Sequence, residues 1–170
     1  CCMENDGAAA IIVTSVERAR DLKPTPAVVL AAAQGSTARN QAPAHNADIY
    51  ATSNFQHVGK RLYEIAGVTP NDVDVSQVYE NFTGGVMMSI VEHGLCSADE
   101  VNDIFTLDNF KSTGKLPINT SGGNLAECYM HGLELIIEAA RQIRGQSPNQ
   151  VVDAEVALVA SGPMVTPVSS

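Results

Sequence analysis

The chain has 170 residues, 45% of them hydrophobic and 17% charged, with a formal net charge of -9, the balance of an ordinary globular domain with a sizeable core. That negative charge argues against non-specific binding to nucleic acid or anionic membranes. No apolar run approaches the roughly 20 residues of a membrane helix and no signal-peptide pattern opens the chain, so the expected compartment is the cytoplasm.

Residues 8–13 form a short apolar run consistent with a buried strand, and residues 15–22 fit a short helix that Ser15 can cap. After a proline-bearing linker, residues 27–33 are a second apolar run suited to a central strand. Residues 34–47, rich in Gly, Ser, Thr, Asn, Pro and Ala, read as a loop of the kind that meets ligands. Asp48 or a neighbour then opens a helix with Phe55, Val58, Leu62 and Ile65 at spacings of three and four, closed by Gly67.

Beyond the turn at residues 69–72, Val73, Val75, Gln77 and Tyr79 alternate with Asp74, Ser76, Val78 and Glu80 as in a strand. Residues 81–85 turn into a helix whose apolar face is Val86, Met87, Ile90 and Val91 and which Gly94 stops. Residues 97–116 suggest a short helix and a loop. The last core strand is expected at residues 154–160, ending at Ser161-Gly162-Pro163. His45, His57 and His93 are read as surface or helix residues. Cys1, Cys2, Cys96 and Cys128 lack any zinc-ligand spacing and are read as free thiols.

The chain is organised around residues 119–132, a strand end, a Gly122-Gly123 turn and then a helix. From Leu133 the apolar residues Leu133, Ile136, Ile137, Ala140 and Ile143 recur at helical spacing with Glu134, Glu138, Arg141 and Arg144 opposite, which predicts burial of the apolar face. Glycines at a strand-to-helix turn can bring backbone amides close to an oxyanion. Cys128, Tyr129 and His131 follow within a turn; they mark either a site or a packed helix start. Strands alternating with helices argue for an α/β architecture with a mixed sheet.

Residues 122–132 resemble the Gly-Gly-x-x-Ala-x-Gly-His-Pro-x-Gly motif of thiolases. Gly122, Gly123, Ala126 and Gly132 match; Cys128 stands for a glycine, Tyr129 for the catalytic histidine and Met130 for the proline. Residues 72–82 are similar to the Asp-x-Asp-x-x-x-x-His-Asp-x-Phe segment of sterol-carrier-protein-type thiolases, with Tyr79 replacing the polar active-site residue and Asn81 and Phe82 closing the segment. Where many thiolases carry a Cys-x-Gly-x-Gly loop, this chain has Ser161-Gly162-Pro163.

The resemblance implies a thiolase-like fold, a mixed five-stranded sheet with helices on both faces. Residues 1–24 would be the last strand and helix of the N-terminal domain and residues 25–170 the C-terminal domain. It implies packing against the N-terminal half of the same protein, which would hold any thiolase nucleophile, and a homodimer. Without the histidine and second cysteine, Claisen condensation is not expected.

The paired tyrosines resemble instead the thiolase-like aldolases, often described as lipid-transfer proteins, that cleave steroid side chains. Those enzymes act on a β-hydroxyacyl-CoA and release propionyl-CoA and a ketosteroid. Tyr79 and Tyr129 are then the catalytic candidates, against the alternative that each is packed in the core. Asn81, Phe82, Gly122, Gly123, His131, Ser161, Gly162 and Cys2 are candidates for binding substrate. Coenzyme A is expected as the substrate's thioester, with no bound cofactor or metal. A small partner with an acyl-CoA-binding OB-fold domain is a candidate companion. An acyltransferase, a lipid carrier or a non-catalytic subunit are the other readings.

Overall fold

The computed structural model describes residues 3–22, 24–36, 52, 54–161 and 167–170. Cys1, Cys2, His45, Asp48 and Gly162, together with most of the loop at 34–47, lie outside the described residues. No described helix is long and apolar enough to cross a membrane.

Helix α1, Val16–Arg20, begins where the Ser15 hydroxyl accepts from the Arg18 amide, the capping expected from sequence. The apolar run before it forms no strand among the described residues, and Ile12 stands 93% exposed. Residues 27–33 likewise form no strand, with Val29 77% exposed. An apolar run becomes a strand only where a neighbour accepts its backbone hydrogen bonds. Here that happens only at the end of the run. Ala33 and Ser170 exchange backbone hydrogen bonds at 2.8 and 2.9 Å, and strand β1, Gln34–Gly35, pairs antiparallel with β4, Val168–Ser169.

Helix α2, Phe55–Ala66, buries Phe55, Val58 and Leu62 as the spacing predicts, and Gly67 ends it at φ 72°. Ile65 overshoots the core and is exposed. The start of α2 is capped from elsewhere in the fold: Glu92 accepts from the Phe55 amide at 2.6 Å and from the Thr52 hydroxyl. Glu92 closes α3, Thr83–Glu92, which buries Val86 and Ile90. Two short helices follow, α4 at Val101–Ile104 and α5 at Leu107–Phe110.

Strand β2, Val75–Val78, is the centre. It pairs in parallel with β3, Ala157–Ala160, and on its other edge Ser76 bridges Ile118. All four residues of β2 are buried, Ser76 and Gln77 included, so the alternation read from sequence does not divide a wet face from a dry one. A parallel strand covered on both sides has no wet face. Among the described residues pairing is confined to these two strand pairs and one bridge rather than to one five-stranded sheet. The apolar core gathers Phe55, Val58 and Leu62 with Val78, Ile90, Ile118, Leu158 and Ala160.

Helix α6 is a single turn, Gly123–Ala126, and α7 spans Leu133–Ile143. Here the sequence reading is inverted. The most buried residues of α7 are Glu134, Leu135, Glu138, Ala139 and Gln142, whereas Ile136 is 42% exposed. Part of this inward polar surface is tied into a hydrogen-bonded seam. Glu138 Oε1 accepts from Thr120 Oγ1 at 2.6 Å, Ser147 Oγ at 2.7 Å and Gln142 Nε2 at 3.1 Å. Thr120 Oγ1 in turn accepts from Gln77 Nε2 of β2 at 3.1 Å and from Gln142 Nε2 at 2.9 Å.

His93, read as a surface or helix residue, follows the last residue of α3 and is buried against the Phe55 ring. Its Nδ1 lies 2.7 Å from the Ser89 carbonyl and its Nε2 3.0 Å from the Ser170 hydroxyl. Burial pushes its pKa below the usual 6.5, outweighing the opposing pull of the Ser89 carbonyl and the Glu92 charge. The unfolded chain therefore binds the proton more readily than the folded one. This contribution to stability is present above the unfolded value of about 6.5 and is lost as pH falls from there through the lower folded pKa. Thermal unfolding of the complete protein should move to lower temperature between pH 7 and 5, and His93→Gln should flatten that dependence; superimposable curves for the two proteins would contradict it.

Candidate active site

Tyr79 leaves the carboxyl end of β2, where its amide donates to the Ala160 carbonyl at 3.0 Å. Tyr129 comes from the irregular segment between α6 and α7 and is 8% exposed. The two rings meet edge to face at 6.0 Å between centroids. His131 completes the group, with its ring 5.6 Å from that of Tyr129 and its Nδ1 3.3 Å from the Tyr79 hydroxyl. On a helix, residues 129 and 131 would point apart. The segment is not helical: His131 has φ 56° and Gly132 φ 97°, and this left-handed pair turns the imidazole back toward the tyrosines. Gly132 is required at that corner, since a Cβ would press within 3.3 Å of the Tyr79 ring.

The Gly122-Gly123 turn is used within the fold itself. The Gly122 amide donates to the Asn119 carbonyl at 2.7 Å, so it serves the turn and is not directed outward. Gly123, at φ 67°, lets the Glu80 carboxylate lie against the backbone; a Cβ there would be 2.7 Å from Glu80 Cδ. Glu80 accepts from the Asn124 backbone amide, from Asn124 Nδ2 at 3.0 Å and from Asn119 Nδ2 at 3.2 Å. Asn119, at φ 45°, also takes the place of a strand: its side chain accepts from the Val78 amide at 2.8 Å and donates to the Val78 carbonyl at 2.9 Å. Sequence reasoning passed over Glu80, Asn119 and Asn124. Their signal was a carboxylate next to the strand-end tyrosine and a turn whose second glycine admits no side chain.

The other candidates lie nearby or apart. Asn81 Oδ1 accepts from the Phe82 amide, and the Phe82 ring is half exposed ahead of α3. Ser161 follows Ala160, the residue bonded to Tyr79, and its hydroxyl accepts from the Ser169 amide at 2.8 Å. Cys128 is a half-buried free thiol and Cys96 a buried one, whose pKa is raised by burial and then by the Glu100 charge. Among the described residues no cluster of three or more His, Cys, Asp or Glu side chains could hold a metal. A concavity of about 480 Å³ lined by Asp72, Asp74, Asp153 and Glu155 lies at the amino ends of β2 and β3. The tyrosines lie at the carboxyl end, where parallel strands present ligand sites.

Because Gly123 combines a left-handed backbone with contact to Glu80, Gly123→Ala should cost about 1–3 kcal/mol in chemical denaturation. Gly84→Ala, where a Cβ meets nothing within 4 Å, should be near neutral. Equal stability of the two variants would remove the clamp.

Comparison with known proteins places the chain in a family. Residues 31–166 match the family model described as thiolase C-terminal domain-like. The chain is 40% identical over 164 residues to the 17-hydroxy-3-oxo-4-pregnene-20-carboxyl-CoA lyase of Mycobacterium tuberculosis, covering 95% of this chain and 42% of that protein. It is 39% identical to the steroid side-chain-cleaving aldolase of Thermomonospora curvata, with the same coverage. A solved Ltp2-ChsH2(DUF35) aldolase superimposes with a TM-score of 0.83 at 38% identity, over 91% of this chain and 41% of that one. The chain thus spans about two fifths of the length of these relatives. With the thiolase-like motif turn, the central parallel strand and the family match in agreement, this chain belongs to the thiolase C-terminal domain-like family.

Proposed function

We propose that the complete protein is a thiolase-like aldolase that cleaves a β-hydroxyacyl-CoA by a retro-aldol reaction. The observation that carries this reading is the three-ring cluster in which Tyr79 and Tyr129, the residues that replace catalytic groups of the thiolase motifs, meet each other and His131. The names of the relatives, a carboxyl-CoA lyase and a steroid side-chain-cleaving aldolase, support a steroid side chain as substrate, with propionyl-CoA and a ketosteroid as products.

The reaction needs a base for the β-hydroxyl proton and an acid for the carbon that leaves as an enolate. As the O–H proton departs, the C–O bond becomes a carbonyl, the bond between the α and β carbons breaks, and its electron pair passes to the thioester enolate. Protonation at the α carbon then completes the acyl-CoA product. Tyr79 suits the base: donation of its hydroxyl proton toward His131 Nδ1 raises the basicity of its oxygen. An isolated phenol, with a pKa near 10, would be a poor base at neutral pH. Tyr129, more buried, suits the donor that meets the enolate. No covalent acyl-enzyme is required.

Phe82, Asn81 and the turn at Gly122-Gly123 are assigned to the substrate wall, with Ser161, Gly162 and Cys2 as further candidates for the thioester arm. Residues 1–24 are read as the end of the N-terminal domain and residues 25–170 as the C-terminal domain. We assign the protein to the cytoplasm, acting as a homodimer with a small acyl-CoA-binding OB-fold partner.

In the complete protein with its partner, Tyr129→Phe and Tyr79→Phe should each lower steroid-CoA cleavage by about 10²–10⁴ in kcat while the fold is kept. Full activity in Tyr129→Phe would sink the assignment, and full activity in Tyr79→Phe would leave Tyr79 as packing. Mass spectrometry of the enzyme quenched during turnover should find no acyl group on Cys96 or Cys128. Stoichiometric acylation of Cys128 would favour an acyltransferase instead.

A further inference from the structure

Far away in sequence, the segment Asn5-Asp6-Gly7 lies along Cys128 and Tyr129. The Tyr129 backbone amide donates to Asn5 Oδ1 at 3.2 Å, and Asn5 Nδ2 lies 2.7 Å from Cys128 Sγ. The Cys128 thiol donates to the Asp6 carbonyl at 3.3 Å. Gly7 allows the approach, because a Cβ there would overlap Cys128 Sγ and stand 3.2 Å from Cys128 Cβ. Tyr129 has no helix to fix its backbone: α6 ends at Ala126 and α7 begins at Leu133. Between them the chain carries two successive left-handed residues, so the orientation of the Tyr129 ring rests on what grips this bridge from outside.

We propose that Asn5 is a positioning residue for Tyr129, holding its backbone through one amide side chain that spans residues 128 and 129, with Gly7 setting the depth at which Cys128 sits. The inference rests on the reading of Tyr129 as the acid group. Asn5 touches no reacting atom. It acts by keeping the phenol where the enolate forms, and misplacement of a reacting group by about 1 Å can cost up to about 10²-fold in rate. The aromatic contacts with Tyr79 and His131 hold the ring only if the backbone beneath it stays in register.

The test uses the complete protein with its partner and two readouts. The first is residue-resolved hydrogen–deuterium exchange of the Tyr129 amide; the second is steady-state cleavage of the steroid β-hydroxyacyl-CoA. In Asn5→Ala the Tyr129 amide should exchange about tenfold faster while amides within α7 are unchanged, and kcat should fall about tenfold or more with KM within twofold. Asn5→Asp keeps the acceptor for the Tyr129 amide and should restore slow exchange and most of kcat. Gly7→Ala should lower kcat by displacing Cys128, with no new protection at Tyr129.

Unchanged exchange in Asn5→Ala would overturn the clamp, and faster exchange with unchanged kcat would overturn its catalytic consequence. Equal losses in Asn5→Asp and Asn5→Ala would show that the acceptor is not what matters. Failure of the underlying reading is separable. If Tyr129→Phe proved fully active, the assignment of Tyr129 as acid would fall, while the exchange data would still decide whether Asn5 holds its backbone.

Discussion

The arrangement depends on a polar seam where an apolar one was expected. Glu138, fully buried, accepts three hydrogen bonds on one oxygen, from Thr120, Ser147 and Gln142. Thr120 passes the connection to Gln77 in the central strand. A buried polar group left unmatched costs about 1–3 kcal/mol, while each satisfied bond returns only about 0.5–1.5 kcal/mol. Such a seam therefore contributes little net stability and much specificity. Sliding α7 out of its register on β2 would break these bonds, whereas an apolar interface would tolerate it. That register fixes where α7 begins, and so where the bridge carrying Tyr129 and His131 must end.

The strand-end side is held by the same kind of device. Asn119 continues the sheet with its side chain, and Glu80 gathers Asn119 and Asn124 around the glycine turn. Tyr79 sits between two anchored points, the Ala160 carbonyl bonded to its amide and the Glu80 that follows it. The two phenols thus approach from separately fixed elements, one from the carboxyl end of β2 and one from the bridge before α7. Groups held by different rigid parts can be aligned without either being strained into place.

Sequence periodicity was a good guide wherever the partner of an element was apolar. Phe55, Val58 and Leu62 marked the inward side of α2, and Val86 and Ile90 that of α3. It failed on α7 because hydrophobic spacing locates the greasy side of a helix, while burial depends on what the helix meets. Thr120, itself bonded by Gln77, donates to Glu138 and accepts from Gln142, which accompanies their inward position and leaves Ile136 part exposed. Residues 8–13 and 27–33 failed as strands for the reason that pairing is a property of two segments and only one of them is written locally. In the candidate site, the tyrosines were legible as replacements within motif positions. Glu80 and Asn5 were not, since each acts on residues tens of positions away.

The departures from the thiolase motif make sense together. A proline at position 130 would hold its own φ near -65° and bias residue 129 toward extended backbone. Met130 relaxes that constraint, and the chain reverses at His131 and Gly132 instead. The imidazole missing at 129 is thereby supplied at 131, on the Tyr79 side of the cluster, and the vacated position is filled by a phenol packed between Tyr79 and His131. Cys128, in place of the motif's glycine, gives the bridge a side chain that Asn5 and Asp6 can hold. Each replacement alone would damage a thiolase. As a set they rebuild the turn so that two phenol rings and an imidazole gather at the end of the central strand, an arrangement that suits the proton transfers of the proposed retro-aldol reaction.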